Sequence, residues 1–237
     1  YYYGGFFDVD LSGASMSLIR SDSAWGQLTS VAFNGNYVFV LDESGFVRVL
    51  GSDDNTVSVY NSFDVRVDSF ARQIEVYGNY LYAINGDDFI IYDVSDVYNP
   101  TLLSTSNYGL DENFESFVIS NEVVYCATEK SYCVSINVEN PNAPFFMDDA
   151  YFENLGFTDD IAIYGQNVVI VGEPVGGIPS EDPPSRILLD ISDPYNMTLV
   201  AGFSAPNNCW DFSACTISNY LVIGSCQVYV YDMNDPL

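Results

Sequence analysis

Apolar and polar residues alternate along most of the chain with a period of two, and a 3.6-residue helical period is nowhere sustained. One phrase recurs five times: a short alternating run, a tight polar turn, then a second alternating run. It reads VAFNGNYVFVL from Val31, IEVYGNYLYAI from Ile74, FVISNEVVYCA from Phe117, IAIYGQNVVIV from Ile161 and CTISNYLVIGS from Cys215. Each copy predicts a β-hairpin, whose strands we letter a and b. With Phe33, Val76, Ile119, Ile163 and Ile217 as anchors, the spacings are 43, 43, 44 and 54 residues.

A second phrase follows each hairpin: apolar, Asp or Asn, apolar, polar, Asp or Asn, and often proline. It occurs as IYDVSD (91–96), SINVEN (135–140), LLDISD (188–193) and VYDMND (230–235), with weaker copies VYNSFD (59–64) and FFDVDL (6–11). It predicts a strand c, and TLLSTS (101–106), MTLVAG (197–202) and MSLIRS (16–21) predict a strand d. Four short strands every 40 to 50 residues is the signature of a β-propeller blade, so the fold class is all-β with four-stranded antiparallel blades. The Asp or Asn that recurs after the aromatic is expected to cap a turn and a strand end.

The expected organisation is one domain over 1–237, with a partial N-terminal blade at 1–22 and blades at about 27–70, 71–107, 114–149, 158–204 and 212–237. Six c phrases centred on Asp8, Asn61, Asp93, Asn137, Asp190 and Asp232 favour six blade-equivalents, and five hairpins allow five. The partial units at both ends, and a start at Tyr1 without a leader-like segment, suggest a processed chain or a segment of a longer one.

The stretch GNYLYAINGDDFIIYDVSDVYNPTLLSTS (78–106) resembles the LVIVD-type repeat of bacterial, archaeal and algal surface propellers. The resemblance extends over nearly the whole chain and is strongest in the second and fourth units. It implies the propeller fold and says little about activity, because the motif residues are structural.

Charge narrows the function. Six basic against thirty-three acidic residues give a net −27, and there is no histidine. Such a chain repels phosphate backbones and anionic lipid, so nucleic acid is excluded as a partner. Without histidine there is no Ser-His-Asp triad and no HExxH zinc site. Lys130 is the only lysine. No apolar run approaches eighteen residues, so membrane insertion by a helix is not expected. With 48% hydrophobic and only 16% charged residues, the composition fits a secreted or surface-exposed protein.

Cysteines add to that expectation. A two-residue turn at Glu129-Lys130 would set Cys126 opposite Cys133 and permit a disulfide. Cys209 and Cys226 form a second expected pair, leaving Cys215 as a buried thiol; disulfides would signify an oxidising compartment. Asn196-Met197-Thr198 is a glycosylation sequon.

Candidate chemistry is sparse. Asp8, Asp10 and Ser12 begin like a calcium loop, but Ile19 stands where a bidentate glutamate is needed. The pairs Asp53-Asp54, Asp87-Asp88 and Asp159-Asp160 are better read as solvated turns than as cation ligands. No cofactor is therefore expected, with calcium as the weak exception. Glu115, Asp159, Asp160 and Asp211, each near the start of an a strand, are the candidates for glycoside hydrolysis, which needs two carboxyls about 5 to 10 Å apart. Trp25, Tyr108 and Trp210, in the d-to-a connections, are candidate contacts for a partner or a sugar ring. The insertion GEPVGGIPSEDPPS (172–185) offers Glu173, Pro174, Ile178, Pro179, Pro183 and Pro184 as further contacts.

The expected function is a non-catalytic extracellular propeller, binding protein partners or copies of itself in a surface assembly. The alternative is a secreted lectin or carbohydrate-active enzyme acting on glycans.

Overall fold

The computed structural model describes residues 6–10, 17–22, 27–35, 37–53, 56–65, 71–110, 112–152, 155–174, 185–203, 211, 213–225 and 227–233. For 6–10, 17–22, 52, 53, 56–58 and 174 it describes the backbone alone. No helix occurs among the described residues.

An N-terminal hairpin, β1 (Phe6–Asp10) and β2 (Ser17–Asp22), precedes five blades. The first comprises β3 (Leu28–Asn34), β4 (Tyr37–Asp42), β5 (Phe46–Asp53) and β6 (Thr56–Asp64). The second comprises β7 (Ala71–Tyr77), β8 (Tyr80–Asn85), β9 (Asp88–Asp93) and β10 (Thr101–Asn107). The third holds β11 (Phe114–Ser120), β12 (Val123–Thr128), β13 (Tyr132–Asn137) and β14 (Phe145–Tyr151). The fourth holds β15 (Leu155–Tyr164), β16 (Asn167–Pro174), β17 (Arg186–Asp190) and β18 (Thr198–Phe203). The fifth has β19 (Ser213–Ile217), β20 (Tyr220–Gly224) and β21 (Val228–Asp232). In every blade each strand pairs with the next in sequence, giving antiparallel meanders. The protein is a β-propeller of five blades. Six is not reached, because the c- and d-type strands β1 and β2 pair only with each other.

The chain divides into two compact units, 1–85 with 90–103 and 86–89 with 104–237. In the first unit, Phe39, Leu41, Val47 and Val49 of the first blade pack on Ile74, Leu81, Ala83 and Ile90 of the second. In the second unit, Tyr125, Ala127 and Cys133 of the third blade meet Ile161, Val168, Ile170 and Ile187 of the fourth. The fourth then presents Ala162, Val169 and Val171 to Leu221 and Ile223 of the fifth. Within each unit, blades that follow one another in sequence thus stack and bury the apolar faces they share.

The turn between strands a and b explains the register. Gly35, Gly78 and Gly165 take φ of 57°, 63° and 58°, where glycine has no Cβ penalty. The third blade uses Asn121 and Glu122 (φ 51° and 63°) and the fifth Ser218 (φ 56°). Ile217 pairs with Tyr220 across that last turn as Tyr164 pairs with Asn167. Ile163 therefore corresponds to Thr216, and the last repeat spacing is 53, one less than the apolar anchor implied.

The recurrent Asp and Asn residues do cap turns. Asp93, Asn137 and Asp190 accept from the backbone N–H of Ser95, Glu139 and Ser192 at 2.8, 3.1 and 2.8 Å. Asp96, Asn140 and Asp193 repeat the pattern three residues on, with Tyr98, Asn142 and Tyr195 as donors. Hydrogen bonds from Ser95 and Ser192 hold the Asp93 and Asp190 carboxyls below the usual carboxylate range.

Candidate functional site

The inner strands β3, β7, β11 and β15 each break register near their first residues, between Leu28/Ser30, Ala71/Gln73, Phe114/Ser116 and Thr158/Asp160. The extra residues are Thr29, Arg72, Glu115 and Asp159, one repeat apart. Bulges re-aim side chains and are common beside functional sites. The position next to the bulge bonds to the following blade. Ser30 Oγ accepts from Ile74 N–H at 3.1 Å and donates to Ile74 O at 3.3 Å. In the second unit Ser116 Oγ donates to Asp160 Oδ1 at 2.7 Å, and Asp160 Oδ2 accepts from Ala214 N–H at 2.9 Å. Asp160 therefore ties three blades together.

Beside it lies a fully buried ion pair. Arg186 Nε and Nη2 donate to the two oxygens of Asp211 at 2.7 and 2.9 Å, and both residues are 0% exposed. Arg186 Nη1 donates to Tyr231 Oη, and Ser185 Oγ donates to Asp211 Oδ2 at 3.0 Å. The guanidinium also lies 4.9 Å from the Tyr229 ring centroid and 5.4 Å from that of Tyr231. Burial, then the charges of Glu173, Asp160 and Asp211, push the Asp159 carboxyl up to about 6. One of its oxygens is buried without a hydrogen-bond partner.

The structure thus gathers three of the four carboxylate candidates, Asp159, Asp160 and Asp211, and adds Glu173 from the insertion. Glu115 occupies the equivalent bulge of the third blade and is not among the charges acting on Asp159. Arg186 and its aromatic surround were not anticipated from the sequence; the signal was a lone arginine opening a strand that is apolar up to its closing aspartate, RILLD.

A small cavity of about 230 Å³ opens in the third blade, lined by Gly109, Leu110, Glu112, Thr128, Tyr132 and Asp149. Glu112 Oε2 accepts from Thr128 Oγ1 at 2.8 Å and from Lys130 N–H at 3.2 Å. Tyr108, close by in sequence, is half-buried and packs on Phe146 at 6.2 Å between centroids; burial pushes its hydroxyl up to about 12. Its ring is thus packed against the third blade while remaining partly exposed.

The disulfide expectation for Cys126 and Cys133 is corrected. The turn spans three residues, with Ser131 at φ 82°, so Cys133 pairs with Ala127 and Cys126 with Val134. Neighbouring residues of a strand point to opposite faces, so the two sulfurs lie on opposite sides of the sheet. Both are buried free thiols, and burial pushes both up. Cys215 is also free but exposed, not buried as expected. In native protein we expect an alkylating reagent to modify Cys215 and spare Cys126 and Cys133. Unfolding without reductant should release both, and mass spectrometry showing them linked would refute the register.

Asn196 is exposed on the c–d connection. Asp88 accepts from Asn107 Nδ2 at 3.2 Å. Among the described residues no group of three or more Cys, Asp or Glu has metal-holding geometry. Asp8 and Asp10 lie on β1 and Pro174 ends β16, all described by backbone alone. Ser12, Trp25, Ile178, Pro179, Pro183, Pro184, Cys209, Trp210 and Cys226 lie outside the described residues.

Comparison with known proteins supports the fold. The LVIVD repeat family model matches residues 70–107, the second blade. No curated protein matches the chain. Among solved structures, the β-propeller domain of Cps50 (Swd1) from Myceliophteria thermophila is similar at a TM-score of 0.67 and 12% identity, over 92% of this chain and 74% of that one. A Lactobacillus plantarum protein gives 0.71 and 11%, over 97% and 78%. A chain of the mitotic checkpoint complex gives 0.71 and 7%, over 91% and 65%. The chain is a β-propeller carrying an LVIVD repeat. At these identities the likeness shows the fold alone.

Proposed function

We propose that this propeller is a non-catalytic module of an extracellular or cell-surface assembly, working by being held by protein partners or by copies of itself. The observation that carries this reading is the engagement of the best-placed carboxylates. Asp211 is enclosed by Arg186 and Ser185, and Asp160 is bonded to Ser116 and Ala214. A side chain saturated by internal bonds is a poor acid, base or nucleophile. What varies between blades is the bulge residue and the loop length, which is how a repeat scaffold acquires contacts. The apolar composition, low charge density and exposed Asn196 support the extracellular setting.

The test acts on the insertion. Gly172 N–H bonds to Ser185 O at 3.0 Å, closing the base of the loop. Replacing 175–184 by a short turn should therefore leave the far-ultraviolet circular dichroism and melting cooperativity intact. Association with a partner purified from the native assembly should weaken at least tenfold, and unchanged affinity removes the insertion from the interface.

A second reading rests on Asp159, whose raised carboxyl and unbonded buried oxygen suit a general acid in glycoside cleavage. Glycan turnover that falls with Asp159→Asn, on a pH profile bending near 6, would replace the module reading.

A further inference from the structure

We propose that the cavity of the third blade is a socket for an arginine side chain of a basic protein partner. This deepens the module reading above and rests on it. The cavity is a property of one compact unit, since Gly109, Leu110, Glu112, Thr128, Tyr132 and Asp149 all fall within 104–237. The connection from β10 to β11 supplies the first three. Thr128 ends β12, Tyr132 opens β13 and Asp149 lies near the end of β14.

Size selects a single side chain. The cavity's volume of about 230 Å³ is below the roughly 300 to 1,000 Å³ of pockets that enclose drug-sized ligands, so it suits one side chain and not an oligosaccharide. The lining then selects a cation. Glu112 is fixed through Oε2, which accepts from Thr128 Oγ1 at 2.8 Å and from Lys130 N–H at 3.2 Å, and its Oε1 receives no donor among the described residues. Asp149 is exposed and makes neither an ion pair nor a hydrogen bond among the described residues. The Tyr132 ring adds an aromatic wall, braced by the Tyr151 ring at 4.9 Å between centroids. Carboxylates with unused acceptors beside an aromatic ring favour a cation that can both donate and stack.

The chain itself shows which cation that is. Arg186 meets Asp211 with two bonds, at 2.7 and 2.9 Å, and has the Tyr229 and Tyr231 rings 4.9 and 5.4 Å away. The third blade repeats these ingredients, carboxylate and tyrosine, without a guanidinium, and has Cys133 where the fourth has Arg186. A planar guanidinium can bond a carboxylate twice and stack on a ring, whereas an ammonium is a compact point charge. The arginine belongs to a partner of opposite charge. A second copy of this chain, also at −27, is repelled, while a basic protein is drawn in.

Backbone amide NMR of the whole chain at low salt tests this, with N-acetylated, C-amidated Gly-Gly-Arg-Gly-Gly as the probe. The peptide should shift the amides of Gly109, Thr128 and Tyr132 and saturate with a Kd of about 1 to 10 mM, the range open to one side chain. The lysine counterpart should bind at least about threefold more weakly, and the citrulline counterpart, neutral and of the same shape, should leave the spectrum unchanged. Asp149→Asn should weaken binding at least about fivefold, and Tyr132→Leu about twofold to fivefold. Each variant's own spectrum reports its folding, and Asp149→Asn, at an exposed position without bonds, decides the matter if Tyr132→Leu does not fold. Glu139→Gln removes one exposed charge just beyond the other end of β13 and should stay within about twofold of wild type. Three results would overturn the proposal: no shift at the cavity, shifts spread over the acidic surface with equal weakening in Glu139→Gln, or lysine bound as tightly as arginine. None of these bears on the module reading, which falls only to turnover of a substrate or to unchanged binding of every natural partner.

Discussion

An Asp211→Ala chain is expected to lose about 3 to 5 kcal/mol of stability, enough to unfold much of a marginal protein at ambient temperature. Arg186 is 0% exposed and has no solvent to turn to. With the carboxylate gone, its guanidinium keeps only the Tyr231 hydroxyl and the faces of Tyr229, Tyr231 and Phe203. Ring contacts of this kind contribute about 1 to 2 kcal/mol and do not offset the desolvation of a full charge. Arg186→Met with Asp211→Leu should recover most of the loss, because a hydrophobic pair of similar volume incurs no charge burial. Urea midpoints for wild type, the single variant and the double variant decide the matter. A single variant within about 1 kcal/mol of wild type would mean that water reaches the pair.

The pair also shows which part of the site a sequence can disclose. Asp211 was visible as an acid ahead of an inner strand, but its partner was not. Arg186 enters β17 at a position where the third blade has Cys133, and only the stacking of the fifth blade turns that position inward. Asp160 was likewise visible, whereas its use depends on Ser116 and Ala214 arriving from two other blades. Residues 44 and 54 positions away meet here only because the repeat brings blades together.

The repeat itself was plain, since period-two alternation and turn chemistry are local properties. Its failures are local too. A third turn residue, Ser131, shifted Cys133 by one position and sent it to the other face of the sheet. Ile217 was taken as an anchor for its hydrophobicity, although the turn at Ser218 makes it the equivalent of Tyr164. Its exposure then removed the only reason for that anchor. The blade count, open between six and five in the sequence, is five: FFDVD reads as a c strand and forms one, but a strand pairs only with what lies beside it.

The same alternation exposes one residue in the wrong chemistry for its place. Glu75 lies on β7 opposite the buried Tyr82, at the position held by Ala32, Val118 and Ala162 in other blades. Burial pushes its carboxyl up to about 7 from an ordinary 4.5. The unfolded chain ionises this group first, so below pH 4.5 it has no effect on stability. As pH rises toward 7 the native state increasingly holds a proton the unfolded state has released, and stability falls. Above pH 7 the full penalty, about 3 kcal/mol, is present. Glu75→Gln keeps the shape and removes the titration. It should match wild type near pH 4 and exceed it by about 2 to 3 kcal/mol at pH 8. Asp159, raised to about 6, contributes a slope of the same sign, whereas Asp42, Asp93 and Asp190, all lowered, contribute the opposite one at acid pH. The informative quantity is therefore the difference between variant and wild type in urea midpoints from pH 4 to 8. Parallel curves would show that water screens Glu75, and a gap opening between pH 4.5 and 7 would show a propeller face carrying a half-buried acid at a standing cost.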